Sequence, residues 1–521
     1  MMSRKIVLRA LLGVLGIIAI VLLYVQVRAE KEVEQFLAKK IPSHIRLDYN
    51  KISANIFTGS VLIMELGVSI SNRQNTEIHT EVIADYLEIN GLAYWPFIFD
   101  KTIHLNKLKI SSPLIKYFPD KKSKRADKDS TGVVKLLKSI IIDQFEIKDG
   151  SFFILRKQTD SILLESHQIN FTLNGFKTDP NIITRKIPLE YGDYTFSTSN
   201  SFVDLDPFET LKIKNINIQN KNVVINDIQM KSKYGKENLS KYLKHERDHV
   251  SLEIPKVKVS SLDFGFSLDK FYLNSDEIEF TKPKLEVYRD KGLPDDTTNK
   301  DMYSTLIKSL PIDIRLSTII FKEALVGYEE RLNDDGRPGR LFIDNIEATI
   351  HGLDTKSVKG DTILLSTKGR LMGNSAISLD YMFDLSNKND EFLAKGQVSS
   401  LRSAELNSFL RPNLNVESEG FVDELYFTIS GDAHASSGEM KMRYNDFRFD
   451  ILRKDGKKVD KILTAIGNLF VNDGDNTNEA GFRFGEIKAE RNVDKSFFNY
   501  LWINVKSGIT STLTGNGKKK D

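Results

Sequence analysis

Six stretches of this chain repeat one apolar spacing, and no other feature restricts its fold as tightly. Each unit reads apolar-x-apolar, a short kink, then a second apolar-x-apolar pair. The copies are Leu108 and Ile110 followed by Ile115 and Tyr117; Phe145 and Ile147 by Phe152 and Ile154; Ile216 and Ile218 by Val223 and Ile225. The remaining three are Val257 and Val259 with Phe264 and Phe266, Ile278 and Phe280 with Leu285 and Val287, and Ile319 and Phe321 with Val326 and Tyr328. Residues i and i+2 of a strand face the same side, so each copy predicts two short strands that carry two apolar pairs. Pro113, Gly150, Pro283 and Ala324 hold the same place in the kink, where a strand bends and one ladder hydrogen bond is dispensable. Six unrelated hairpins in an ordinary β domain are the competing reading.

A second recurring element is a strand that runs out through a glycine: Leu87 to Leu92 around Gly91, Phe171 to Phe176 around Gly175, and Ala348 to Leu353 around Gly352. The arches start 21 to 71 residues apart, which makes a loose repeat with inserted hairpins rather than a solenoid of fixed period. Polar residues alternate with the key positions in most first strands, so one sheet face is apolar and the other wet. The middle of the chain offers few helices to cover that face. Two architectures remain: a sheet folded on itself as a sandwich, or a curled sheet whose apolar inside holds another apolar molecule. At about 4.8 Å per strand, some twenty strands would form a trough on the order of 100 Å long. The fold class expected is therefore mainly β: an elongated, curled groove or taco-like sheet of quasi-repeated strand-kink-strand arches.

Length and charge add bounds. A chain of 521 residues exceeds one ordinary hydrophobic core, and 40% hydrophobic with 28% charged residues is the composition of folded protein. With 74 basic and 71 acidic residues, the net charge of +3 gives no reason to expect nucleic acid as a partner. Absence of cysteine removes disulfides, zinc-thiolate sites and cysteine nucleophiles, and suits an oxidising compartment. Ala10 to Val27 is an uncharged, mostly aliphatic run long enough to span a bilayer core. Arg4, Lys5 and Arg9 precede it, whereas Arg28 and Lys31 are interleaved with Glu30 and Glu32, so the positive-inside rule places the N-terminus in the cytoplasm. A cleaved signal peptide is the alternative, although its apolar region is normally only about 7 to 15 residues. A charged helix over Glu30 to Lys40 follows, and three regions are expected: residues 1–29 as cytoplasmic end and transmembrane anchor, 30–437 as the β-repeat body, and 438–521 as a β/helical cap.

Loops are expected at residues 119–129, 293–300 and 333–339. In the cap, Ile462, Leu463, Ile466, Leu469 and Phe470 mark a short amphipathic helix, and Lys495 to Leu513 mark a longer one. Phe497, Leu501, Val505, Ile509 and Leu513 recur every fourth residue there, joined by Phe498 and Trp502, ahead of Lys518, Lys519 and Lys520. Two roles fit this helix: lying in a membrane interface, or capping the sheet with its apolar stripe buried.

The catalytic motifs are weak. His245-Glu246-Arg247-Asp248-His249 matches H-E-x-x-H, but Arg and Asp occupy the x positions and an alternating strand begins by Ser251. Asp473, Asp475, Thr477 and Glu479 imitate calcium ligands, but Asn478 stands where an EF-hand needs glycine. With no G-x-S-x-G elbow, P-loop or dinucleotide fingerprint, and eight scattered histidines, neither an enzyme nor a metal or cofactor site is expected.

The segment Asp85 to Phe118 (DYLEINGLAYWPFIFDKTIHLNKLKISSPLIKYF), behind an uncleaved anchor, resembles the opening of AsmA-like proteins, in which a glycine-ended strand, a short hydrophobic segment and a strand-Pro-strand arch follow in this order. Lys495 to Leu513 is similar to the end of such proteins from the Bacteroidetes group. That family resembles the bridge-like lipid-transfer proteins, curled sheets with an apolar groove. The resemblance implies a protein of the Gram-negative inner membrane, with its bulk in the periplasm, that contributes to outer-membrane lipid homeostasis or biogenesis. Its partner would be phospholipid, through the acyl chains, and the twenty-four apolar arch positions would line the groove. A trough of this length would need an envelope protein partner to complete a crossing. A non-transporting scaffold for outer-membrane assembly, with a dry core and acting through protein contacts, is the second reading.

Overall fold

The computed structural model describes residues 24–35, 37, 39, 41–73, 75–100, 102–121, 138–157, 159–267, 270–332, 337–358, 360–452 and 477–515. The fold is mainly β, and the chain divides into two compact units. One comprises Met1–Leu205 with Lys212–Asn220, and the other Asp206–Leu211 with Lys221–Asp521. The division falls inside the predicted repeat body.

The strands of the first unit are β1 (Ile45–Asp48), β2 (Lys51–Asn55), β3 (Ser60–Ser71), β4 (Ile78–Asn90), β5 (Thr102–Ser111), β6 (Leu114–Tyr117), β7 (Ser139–Leu155), β8 (Ile162–Thr178) and β9 (Tyr194–Asp204), with the short helix α1 (Tyr94–Phe99) between β4 and β5. β1 and β2 lie end to end along β3, β3 pairs antiparallel with β4, and β5 and β6 share the other side of β4. β7 then runs parallel to both β5 and β6, followed by antiparallel β8 and β9. β10 (Glu209–Gln219) spans the division. Residues 24–35 are helical, and Val33 and Leu37 pack on a small core of Ile52, Ile63, Leu66 and Ala84. Of the expected anchor Ala10–Val27, only the helical residues 24–27 fall among the described residues, which contain no helix long and apolar enough to cross a membrane.

The second unit contains β11 (Asn222–Ser232), β12 (His249–Ser260), β13 (Asp263–Ser267), β14 (Lys270–Thr281), β15 (Lys284–Asp290), β16 (Asp313–Arg331), β17 (Gly339–Asp354), β18 (Thr362–Leu371), β19 (Ser375–Asp384), β20 (Phe392–Arg402), β21 (Val416–Gly431), β22 (Ala435–Ile451) and β23 (Arg483–Glu490). Its helices are α2 (Tyr303–Lys308), α3 (Asn407–Leu414) and α4 (Phe497–Thr514). β14 and β15 run parallel to β16, and from β16 to β23 each strand pairs antiparallel with the next. The main core lies here, around Tyr381, Phe392, Ile429, Met440, Met442 and Ile487, and α4 seals it with Phe497, Tyr500 and Leu513.

The arches are single strand paths that bend. β5 and β6 are two halves of one path between β4 and β7, and β14 and β15 are two halves of one path between β12 and β16. In the second and sixth copies β7 and β16 run unbroken through a bulge. The bend is made one residue before the predicted place: Ser112, Asp149, Lys282 and Glu323 take φ between 49° and 57°, immediately ahead of Pro113, Gly150, Pro283 and Ala324. The second and third key positions are five positions apart, an odd step, so an unbroken alternation would turn them to opposite faces. The inserted bulge residue restores the apolar pairs to one face. The third copy departs from this pattern: Asn220 and Lys221 both have positive φ (46° and 67°), the backbone of a two-residue hairpin reversal rather than a kink. Glycines 91, 175 and 352 all take positive φ (67°, 67° and 76°), which explains why the strand-through-glycine element uses glycine.

Candidate functional site

Directly paired residues in a sheet project to the same side, so the register shows whether the arches build one surface. In the first unit they do. One row runs Val61, Ile89, Leu108, Phe145, Leu173 and Tyr194 across six strand paths, and the next runs Ile63, Leu87, Ile110, Ile147, Phe171 and Phe196. The first and second arches lie parallel in matching register through the bend as well, with Ile115 opposite Phe152 and Tyr117 opposite Ile154.

The second unit repeats the arrangement. The fifth and sixth arches lie parallel with Ile278 opposite Ile319, Phe280 opposite Phe321, Leu285 opposite Val326 and Val287 opposite Tyr328. Phe280 and Phe321 stack, with ring centroids 4.9 Å apart. The backbone bonds at the two bends correspond. Ser112 N donates to Lys148 O (2.7 Å) and Ser151 N to Pro113 O (2.7 Å); Lys282 N donates to Lys322 O (2.8 Å) and Leu325 N to Pro283 O (2.9 Å). In each pair the bulge N–H of the long strand is met by a neighbouring side chain: Asp149 N donates to Asn170 Oδ1 and Glu323 N to Glu347 Oε1.

One row of the second unit is unbroken over eleven strand paths: Val223, Val259, Ile278, Ile319, Ile350, Leu365, Tyr381, Ala394, Ile429, Gly438 and Ile487. Its cover changes along its length. Ala394 and Ile429 are fully enclosed and Ile487 nearly so, whereas Val259 and Ile278 are only half-buried. Of the twenty-four arch positions, Val223, Val257 and Ile319 are buried, and Phe264, Phe266 and Val326 are exposed at 37%, 42% and 38%. The other eighteen are half-buried. In the second unit the same sheet face is thus a closed core under α4 and a partly wet apolar surface at the fourth to sixth arches.

The opposite face is charged. Lys107 pairs with Glu146, and Glu279 accepts from Lys322 and lies 3.5 Å from Lys258. The Lys107 hydrogen bond holds the Glu146 carboxyl below its ordinary value, and the Lys322 hydrogen bond does the same for Glu279. At the arch end near α3, Tyr328 packs its ring on Phe409 and donates to Glu330; burial and that bond push its hydroxyl pKa up.

The predicted interface helix is used differently along its faces. Its buried line is Tyr500, Asn504, Gly508 and Thr512, flanked by Phe497 and Leu513. Leu501, Val505 and Ile509 pack beside that line against the core. Phe498 (69%) and Trp502 (46%) face outward. Asn504 accepts from Ser436 (2.7 Å), and Ser511 and Ser507 accept from Glu486 N and Lys488 N of β23. The helix therefore caps both the apolar face and backbone donors of the last strand. The other predicted helix, at Ile462–Phe470, lies outside the described residues, as do Asp473 and Asp475. Asn478 closes a turn there, accepting from Ala480 N and Phe482 N.

The H-E-x-x-H stretch is not helical. Its first residues form an irregular segment, and His249 opens β12 with Nε2 3.1 Å from Tyr234 O. Glu246 is buried against Lys291 and Lys495, and Lys495 also meets Asp295 at 2.7 Å. This ionic cluster pins the start of α4 to the loop before β12. Among the described residues no group of three or more His, Asp or Glu side chains is gathered to hold a metal ion. What the arrangement can do is adsorptive: an acyl methylene gains up to about 0.8 kcal/mol if such a surface withdraws it fully from water. Compared with known proteins, the sequence matches no family model and no curated protein.

Proposed function

We propose that this chain is anchored in the inner membrane of a Gram-negative envelope, extends its sheet into the periplasm, and holds or conducts phospholipid acyl chains along its apolar face, contributing to outer-membrane lipid homeostasis or biogenesis. The observation that carries this reading is the incomplete cover of the arch positions, most of them only half-buried, on a face that in the second unit is continuous with a closed core. Bare apolar surface of that extent is unfavourable in water unless something apolar occupies it. The charged reverse face supports the reading, since it leaves one side of the sheet suited to water and the other to hydrocarbon. The AsmA-like resemblance of residues 85–118 agrees with it. The test is to purify residues 24–521 from the periplasm without detergent, extract with organic solvent and quantify lipid. Phospholipid in stoichiometric amount is expected, and its loss in Phe280→Asp. A folded protein free of lipid would favour the scaffold that acts through protein contacts.

A further inference from the structure

Exposed aromatics concentrate at one place in the first unit. Helix α1 has the sequence Tyr-Trp-Pro-Phe-Ile-Phe, without a charge, and exposes Tyr94 (42%), Trp95 (75%), Phe97 (36%) and Phe99 (65%), with Phe57 (60%) on the neighbouring β2–β3 turn. Trp95 and Phe99 stack on each other at 5.1 Å. Single exposed aromatics are ordinary, but five on two adjoining segments form a patch that marks a contact surface.

The backbone of one residue, Ile56, ties this patch to the N-terminal helix. Ile56 N donates to Gln26 Oε1 (2.9 Å), while Gln26 Nε2 donates to Ala54 O (2.8 Å). On its other side, Ile56 O accepts from the Tyr94 hydroxyl. Leu92 N donates to Gly59 O and Ala93 N to His104 O, so the chain entering α1 is held to the β2–β3 turn on one side and to β5 on the other. Gln26 lies next to the end of the apolar run Ala10–Val27. The patch therefore sits at the level where that run meets the sheet.

We propose that α1 and Phe57 form a foot that lies in the headgroup interface of the membrane entered by residues 10–27. Six helical residues span only about 9 Å, too short to cross a bilayer and suited to lying along its surface. Tyrosine and tryptophan favour that depth, where a ring meets hydrocarbon and a polar tip meets water. A cation meets the patch, since Lys138 Nζ sits 3.6 Å over the Phe97 ring and donates to Phe97 O, and on the N-terminal helix Arg28 lies over Tyr24, itself 57% exposed. These suit an anionic headgroup layer. The foot would fix the tilt of the first unit on the bilayer, which one helix alone leaves free. The inference rests on reading residues 10–27 as a membrane span.

The chain has two tryptophans, so the test is direct. Full-length Trp502→Phe, in which Trp95 is the sole tryptophan, is reconstituted in phosphatidylethanolamine/phosphatidylglycerol vesicles containing lipids brominated near the headgroup or deep in the chain. Trp95 emission should shift to the blue and be quenched more by shallow than by deep bromine. A control carrying Ile18→Trp, at the middle of the run, with Trp95→Phe and Trp502→Phe reports the span, and deep bromine should quench it. Quenching of the control with Trp95 open to aqueous iodide and untouched by bromine would overturn the foot and leave the anchor standing. No quenching in either protein would overturn both.

Discussion

Glu323 and Lys282 hold left-handed backbone conformations that cost an L-residue about 1–2 kcal/mol, yet neither residue type favours them. Neighbouring groups compensate, since Glu347 accepts from Glu323 N and Lys282 pairs with Glu323 at 3.2 Å. Glu347→Ala is expected to lower unfolding free energy by about 0.5–1.5 kcal/mol, measured by urea denaturation, because it removes the acceptor of that bulge donor. Gly396 is constrained from the other direction. A Cβ there would stand 2.1 Å from Cζ of Phe427, whose ring lies across the glycine. Gly396→Ala should therefore cost about 1–3 kcal/mol in the same assay. The bends illustrate what sequence reveals at this scale. The period-2 spacing of Ile278, Phe280, Leu285 and Val287 is legible, and so is the proline at 283. The residue that turns is Lys282, and lysine carries no turn signal.

At the scale of elements, α4 decides where the sheet is closed. Leu513→Ala, at a fully enclosed position, should destabilise the protein by about 2–5 kcal/mol, read as a lowered midpoint of thermal unfolding. The helix was legible from its hydrophobic repeat, but its buried line was not. Asn504, Gly508 and Thr512 are polar or small, so apolar periodicity pointed to the flanking Leu501, Val505 and Ile509. Gly508 is what lets the helix approach: a Cβ there would meet Met440 and Ile487 at under 3 Å. The strand pairs on the charged face add a pH dependence. The Glu279 carboxyl is held below its ordinary 4.5 by the Lys322 hydrogen bond and by Lys258. Its stabilising contribution is present above pH 4.5 and lost as pH falls through the lowered folded value. The difference in thermal midpoint between the parent and Glu279→Gln should accordingly shrink as pH is taken from 7 toward 3.

At the scale of the whole molecule, each unit contains the same device: two arches in parallel register, bent at matching left-handed residues, with apolar rows extending to both sides. Parallel pairing of arches one and two, and of five and six, was outside the reach of the sequence, because register between strands some forty residues apart depends on the sheet as a whole. The apolar surface itself was legible, because alternation holds on each side of the bend at a constant offset, which the bulge returns to one face. How far it is covered was not, since in the second unit that depends on what α4 leaves open. What touches this surface in the cell decides whether it bears lipid. The direct measurement places a photo-crosslinking benzoyl-phenylalanine at Phe280, and separately at its neighbour Glu279 on the charged face, in the full-length chain, and irradiates intact cells. Phospholipid adducts at position 280 and none at 279 are predicted; adducts only to protein at 280, or lipid adducts equal at both positions, would contradict a lipid-bearing face.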